Sequence, residues 1–285
     1  MKPVVFGIFM TLLAGAGLFW LWDSQQSTPS HNESVVAQQI APPTPEKQLN
    51  PVIRELPPTS ALPPAAEETT ASTPPAQTLP QLVTAPTDLG QSDTQTREAI
   101  RELPQRQAVA NQLLQWLTPR EQIRKWVLLV DNVAMGKVPT KNRPLEFALT
   151  PFAVTGGETD PVLAESNFNR LDPLVDAFVT LDPELMARYY QAWESLLQEA
   201  YGELGQPGPF RTRLLEAMDR VLAVEPWAQM PIALKRPSVY FRFADPEREA
   251  ASDLEKLLWR MGPRNTIRIQ SQLRDIKLAL QALAP

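Results

Sequence analysis

Cysteine is absent from this chain and its one histidine, His31, stands in a proline-rich stretch, so chemistry must come from carboxylates, hydroxyls, amines and guanidinium groups. That excludes Cys-His and Ser-His-Asp nucleophilic sites from the C-terminal region, together with zinc sites of thiolate or imidazole ligands. No glycine-rich phosphate loop, Gly-x-Ser-x-Gly elbow or Ser-x-x-Lys motif is present, and no pattern calls for a metal ion or a cofactor. The acid-base groups to weigh are therefore Asp131, Glu165, Asp172, Asp176 and Asp245, which lie in or near apolar segments. Asp131 is the catalytic candidate, because its setting VLLVDNVAMGK surrounds it with apolar side chains able to shift its pKa. The structural alternative is a half-exposed helix residue paired with a nearby Lys or Arg. Asp172 and Asp182, each before a proline, read as helix N-caps, and Asp245 reads as the start of a proline turn.

The cations give a second kind of site. Arg260, Arg264 and Arg268 recur every four residues, with Asn265 beside the helix start at Gly262-Pro263, as an anion-receiving patch would require. A solvated face balanced by Glu255 and Asp275 is the competing account. Arg236, followed by Pro237-Ser238, joins Tyr240 and Arg242 as candidates for an adjoining groove. Trp116, Trp126, Trp193 and Trp259 stand at helical core spacing and read as packing.

Positioning these groups falls to helices. Beyond residue 91 apolar residues recur at three and four, which is the amphipathic helical period. Thr118-Pro119-Arg120-Glu121 reads as an N-cap, first-turn proline and capping glutamate ahead of Ile123, Trp126, Val127 and Val130, with Gly136 as the stop. Asp182-Pro183 opens another helix that runs to Gly205. Further helices are expected over 94–117 with a break near Pro104, from Asp172, and over 209–223, 253–261 and 263–283. Residues 137–158 and 228–243 are broken by proline and glycine and read as extended, with Val239, Phe241 and Phe243 alternating against Tyr240 and Arg242. The expected fold is all-α, a compact domain of about six helices over 91–285 with at most a small extended or β element.

The N-terminal third differs in kind. Residues 3–22 carry no charge and, at about 1.5 Å per residue, span a hydrocarbon core of about 30 Å. Lys2 precedes them and no Lys or Arg follows until Lys47, so the positive-inside rule puts the N-terminus in the cytoplasm and the rest on the exported side of a single-pass membrane protein. Ala14-Gly15-Ala16 keeps open a cleaved signal peptide, and Gly7, Thr11 and Gly15 on one face suit homodimerisation in the membrane. Residues 23–90 hold 13 of the 30 prolines and no sustained apolar period, so they read as a disordered tether. Of 27 Lys and Arg only 3 precede residue 91, as do 7 of 32 Asp and Glu, which leaves the C-terminal part at a net charge of −1. With a sequence pI near 5.2, nothing marks a nucleic-acid partner.

Three segments in order, WLTPREQIRKWVLLVDNVAMGKVP, FNRLDPLVDAFVTLDPELMARYYQAWESLLQEAYGELG and RPSVYFRFADPEREAASDLEKLLWRMGPRNTIRIQSQLR, resemble an uncharacterised bacterial membrane-protein family catalogued as domain of unknown function 3014. The resemblance covers about residues 111–280. It implies a bacterial host and an N-terminal membrane helix, and it brings no established activity or catalytic residues. The function expected is a non-catalytic binding or scaffold module of the cell envelope, facing an envelope protein or an anionic wall polymer. The alternative is a carboxylate-dependent envelope hydrolase.

Overall fold

The computed structural model of the chain describes residues 85–283. The expected membrane anchor and almost all of the tether lie outside the described residues, within which no helix is long and apolar enough to cross a membrane. Nine helices occur among the described residues: α1 (Ser92–Glu102), α2 (Gln107–Trp116), α3 (Gln122–Ala134), α4 (Asp172–Phe178), α5 (Pro183–Glu203), α6 (Phe210–Leu222), α7 (Pro246–Ala250), α8 (Asp253–Arg260) and α9 (Gly262–Ala282). Helices α5 and α6 pack on each other and both pack on α3 and α9, α1 packs on α2 and α3, and α4 and α8 lie against α9. The centre is α5, which buries Met186, Tyr189, Tyr190, Trp193, Leu196, Leu197 and Tyr201. Packing begins ahead of the expected boundary at residue 91, because Leu89 is buried and Ala85 rests on the same cluster.

Local sequence explains several helix ends. The Asp182 carboxylate accepts from Leu185 N at 2.9 Å, Pro183 needs no partner for a missing N–H, and Gly205 takes φ +70° beyond the last turn. In α8 the Ser252 hydroxyl accepts from Glu255 N while the Glu255 carboxylate accepts from Ser252 N at 2.9 Å, a reciprocal capping box. Asp245 caps α7, a five-residue helix where a proline turn was expected.

Two expected caps are instead used elsewhere. Thr118 does not cap α3, because its segment pairs antiparallel with a later one: Leu117 bridges Leu145, and Thr118 N donates to Pro144 O at 2.9 Å. The Thr118 hydroxyl is turned to Arg143 O and Pro144 O, and Glu121 takes a left-handed φ of 58° before the helix begins. The free N–H groups of Glu121 and Gln122 both donate to the Asp93 carboxylate at 2.8 Å, so α1 caps α3. Asp172 is likewise no N-cap; it sits inside the first turn of α4, and its carboxylate serves α9.

The β structure is two two-residue ribbons rather than one small element. β1 (Val154–Thr155) pairs with β2 (Val162–Leu163), and β3 (Leu234–Lys235) pairs with β4 (Arg242–Phe243), all antiparallel. A bridge from Val162 to Ala233 joins the two ribbons. Leu163, Leu234 and Phe243 turn into the core, which is why these proline-broken stretches are held as extended chain.

Removing the borrowed cap with Asp93→Ala should cost about 1–2 kcal/mol in urea unfolding, whereas Thr118→Val should leave the start of α3 intact. The capping box also predicts a pH dependence. The Ser252 hydroxyl, with the Ser252 N–H and nearby Arg220 and Arg248, outweighs burial and holds the Glu255 carboxyl below its ordinary 4.5. Its contribution is therefore complete above that value and is lost as pH falls through the lower folded one. Ser252→Ala should cost about 1 kcal/mol at pH 7 and progressively less below pH ~4.5, read from unfolding curves at each pH.

Candidate functional site

Asp131 stands on the face of α3 turned to α6 and is 3% exposed, not half-exposed. Arg213 of α6 donates to it through Nε at 2.7 Å and reaches Glu216 through Nη1 at 3.0 Å. Burial works against the Arg213 charge, yet the hydrogen bonds it donates to Glu216 and Asp131 hold its pKa above the ordinary value. Asp131 is thus the anionic half of an interhelix ion pair.

The three spaced arginines do not form one patch. Arg264 donates to Asp172 at 2.6 Å and Arg268 to Asp176 at 2.7 Å. Four residues separate each pair of partners, so α4 and α9 present matching charges one turn apart. Asn265 adds a 2.8 Å bond from Nδ2 to the second Asp172 oxygen. The balancing acids are those of α4 and not Glu255 or Asp275; Glu255 is committed to the α8 cap. Arg260 turns the other way, with its guanidinium 4.5 Å from the centre of the Phe243 ring, and burial pushes its pKa down to about 10, so it stays charged at neutral pH.

Where α9 begins, a pocket of about 450 Å³ opens between it and the 3₁₀ turn Glu165–Asn169. Glu165, Ser166, Phe168 and Asn169 form one wall and Arg264 and Asn265 part of the other. Gly262 makes this junction possible. It takes φ +82°, and a Cβ there would lie 2.6 Å from the Phe168 ring. Glu165 is the only carboxylate lining the pocket, so the paired acid and base of a carboxylate hydrolase do not converge there. Among the described residues no three acidic groups gather closely enough to hold a metal ion.

The joined ribbons place the remaining candidates together. Lys235 and Arg242 are directly opposite each other across β3 and β4, so their side chains leave the same face. Arg236 lies over the Phe241 ring at 5.2 Å, Phe241 contacts Phe152 at 6.0 Å between centres, and Arg170 covers Phe152 at 5.6 Å. Arg236, Tyr240 and Arg242 therefore share one hairpin, and Arg260 meets its base through Phe243, whereas Arg264 and Arg268 belong to the α4–α9 ladder. Lys235 was legible only by carrying the alternation of Phe243 back across the turn to Leu234. Arg248, between the Trp227 and Trp259 rings at 4.4 and 4.5 Å, had no sequence signal. The Glu249 carboxylate accepts from Phe243 N at 3.0 Å and closes the outer edge of β4.

If Asp131 is structural, breaking its pair strands a buried charge. Arg213→Leu should cost about 3 kcal/mol in denaturant unfolding, and adding Asp131→Leu should recover most of that loss. A single variant no worse than the double would show instead that Asp131 is stable without its partner.

Comparison with curated proteins and with solved structures gives no match. A family model described as a protein of unknown function (DUF3014) matches residues 122–277, from the first residue of α3 into the later turns of α9. That is more than half of the 285 residues, and the chain belongs to this family.

Proposed function

We propose that this chain is a membrane-tethered, non-catalytic binding or scaffold module of the bacterial envelope. Residues 3–22 anchor it in the inner membrane with the N-terminus in the cytoplasm, and the helical domain works in the periplasm at the end of its proline-rich tether. The uncharged 20-residue run and the lack of Lys or Arg until Lys47 support this placement. The same run, with Gly7, Thr11 and Gly15 in line, supports pairing of two copies in the membrane.

One observation favours binding over catalysis: apart from Glu165, which is the single carboxylate of its pocket, the carboxylates weighed for acid-base work already have structural partners. Asp131 is held by Arg213, Asp172 by Arg264 and Asn265, and Asp176 by Arg268, while Asp182 and Asp245 cap helices. The exposed cations Lys235 and Arg242 make no side-chain ion pair or hydrogen bond among the described residues, and they face outward. An envelope protein or an anionic wall polymer is the class of partner such a surface serves.

In-cell crosslinking and affinity capture of the full-length chain should recover an envelope partner that a control keeping the anchor and tether but lacking residues 91–285 does not. Hydrolysis of wall polymer by the full chain, lost in Asp131→Asn while the fold is retained, would establish the carboxylate hydrolase in its place.

A further inference from the structure

Both ribbon turns leave the same end of the sheet. β1 runs antiparallel to β2, β2 meets the strand entering β3 antiparallel through Val162 and Ala233, and β3 runs antiparallel to β4. One turn, between β3 and β4, carries Lys235, Arg236 and Arg242 without any acidic residue; the other carries the exposed Glu158 and Asp160. Lys235 and Arg242 oppose each other directly, and like charges in that register destabilise a strand pair. Across the helices the pattern is the reverse, because Arg124, Arg213, Arg264, Arg268 and Lys277 each meet a carboxylate of another helix. A repulsive pair on the outward face, in a domain that neutralises its interhelix cations, is a site whose balancing charge comes from outside.

We infer that this face, built on Lys235, Arg236 and Arg242, binds an anionic polymer, its phosphate or carboxylate groups lying between Lys235 and Arg242. The assignment rests on the binding-module reading and names its surface and ligand class. Arg236 is preset by the Phe241 ring beneath it, so less side-chain freedom is lost on binding. The acidic neighbour turn selects a polymer over a bilayer. A flat anionic membrane would press on Glu158 and Asp160 as well as on the cations, whereas a single strand of polymer follows the cations and passes the carboxylates by. The turn is also poor in groups that enter a bilayer: Val239 is 51% exposed, but Tyr240 and Phe241 are half-buried.

The test uses the full chain held in a nanodisc of zwitterionic lipid and a fluorescently labelled inorganic polyphosphate, with polyglutamate as the carboxylate counterpart. Binding should weaken with salt. Arg242→Glu should lower polyphosphate affinity at least tenfold and flatten the logarithmic salt dependence by about one unit or more. The same substitution replaces a repulsive pair with an attractive one, so its melting temperature should match or exceed that of the wild type. Arg274→Glu, on the exposed side of α9, should bind as the wild type does. Equal affinity in Arg242→Glu and wild type, or a lower melting temperature in that variant, would overturn the inference. Capture of phosphatidylglycerol vesicles without binding of either polymer would overturn it in favour of a lipid surface. A domain-dependent partner in cells that is unaffected by Arg242→Glu would leave the binding-module reading standing and sink this assignment alone.

Discussion

Enclosure of α5 is the constraint from which the rest of the domain follows. Helices α3, α6 and α9 cover it, and with no disulfide available the fold depends on that burial. A buried aromatic or leucine side chain contributes about 1.5–3 kcal/mol, and Trp193, Tyr189, Leu197 and Met186 are all but sealed from water. Enclosure also raises the cost of every polar atom carried inside. Tyr189 meets it by donating to Glu102 at 2.6 Å and Tyr190 by donating to Glu194 at 3.1 Å. Burial, reinforced by Glu194, pushes the Tyr190 phenol well above its usual range, so it serves as a neutral donor throughout the physiological pH range.

That requirement explains why the domain's polar chemistry is spent internally. Long helices packed around one centre leave their ends and connecting loops to be joined by side chains. The Gln270 amide donates to Val224 O at 2.7 Å and to Val221 O at 3.0 Å, closing the end of α6. Gln272 does the same for the turn at Leu181, at 2.8 Å. Asn167 accepts from Ala153 N at 2.9 Å and donates to Ala164 O at 2.8 Å, binding the first ribbon to the 3₁₀ turn below it. Each is an amide and not a charged group, the less costly way to satisfy a backbone carbonyl in an enclosed place. Carboxylates serve mainly at helix starts and in interhelix pairs, where a free N–H or a cation was already present, and at the tyrosine hydroxyls and the edge of β4.

The same division decides what the sequence could disclose. Helix ends written in adjacent residues were legible: the break near Pro104, the start at Asp182-Pro183 and the stops at Gly136 and Gly205 all stand where local chemistry puts them. Thr118 and Asp172 carried equally good local signals, and tertiary partners outbid both. Leu145 drew the first into an antiparallel pair, and Arg264 with Asn265 claimed the second. The spacing of Arg264 and Arg268 was visible, and so was that of Asp172 and Asp176, but only the packing of α4 on α9 says that the two spacings belong together. The alternation ending at Phe243 marked one extended segment, but which strand it pairs with, and so the opposition of Lys235 to Arg242, is set by tertiary register that a one-dimensional reading does not carry.

A surface that keeps an unfavourable contact in a domain whose interhelix cations Arg124, Arg213, Arg264, Arg268 and Lys277 are each paired with a carboxylate is informative in itself. Glutamate or threonine at residue 242 would pair better with Lys235 and would still keep the alternation that buries Phe243. Folding alone therefore gives no reason for arginine there, whereas it gives ample reason for Arg213, Arg264 and Arg268. The strand edge is protected by Glu249, so the cations are not needed to guard it against pairing with another chain. What remains is recognition: a small repulsion in the free domain, relieved when an anion lies between the two strands, ties the cost of the contact to the presence of the ligand.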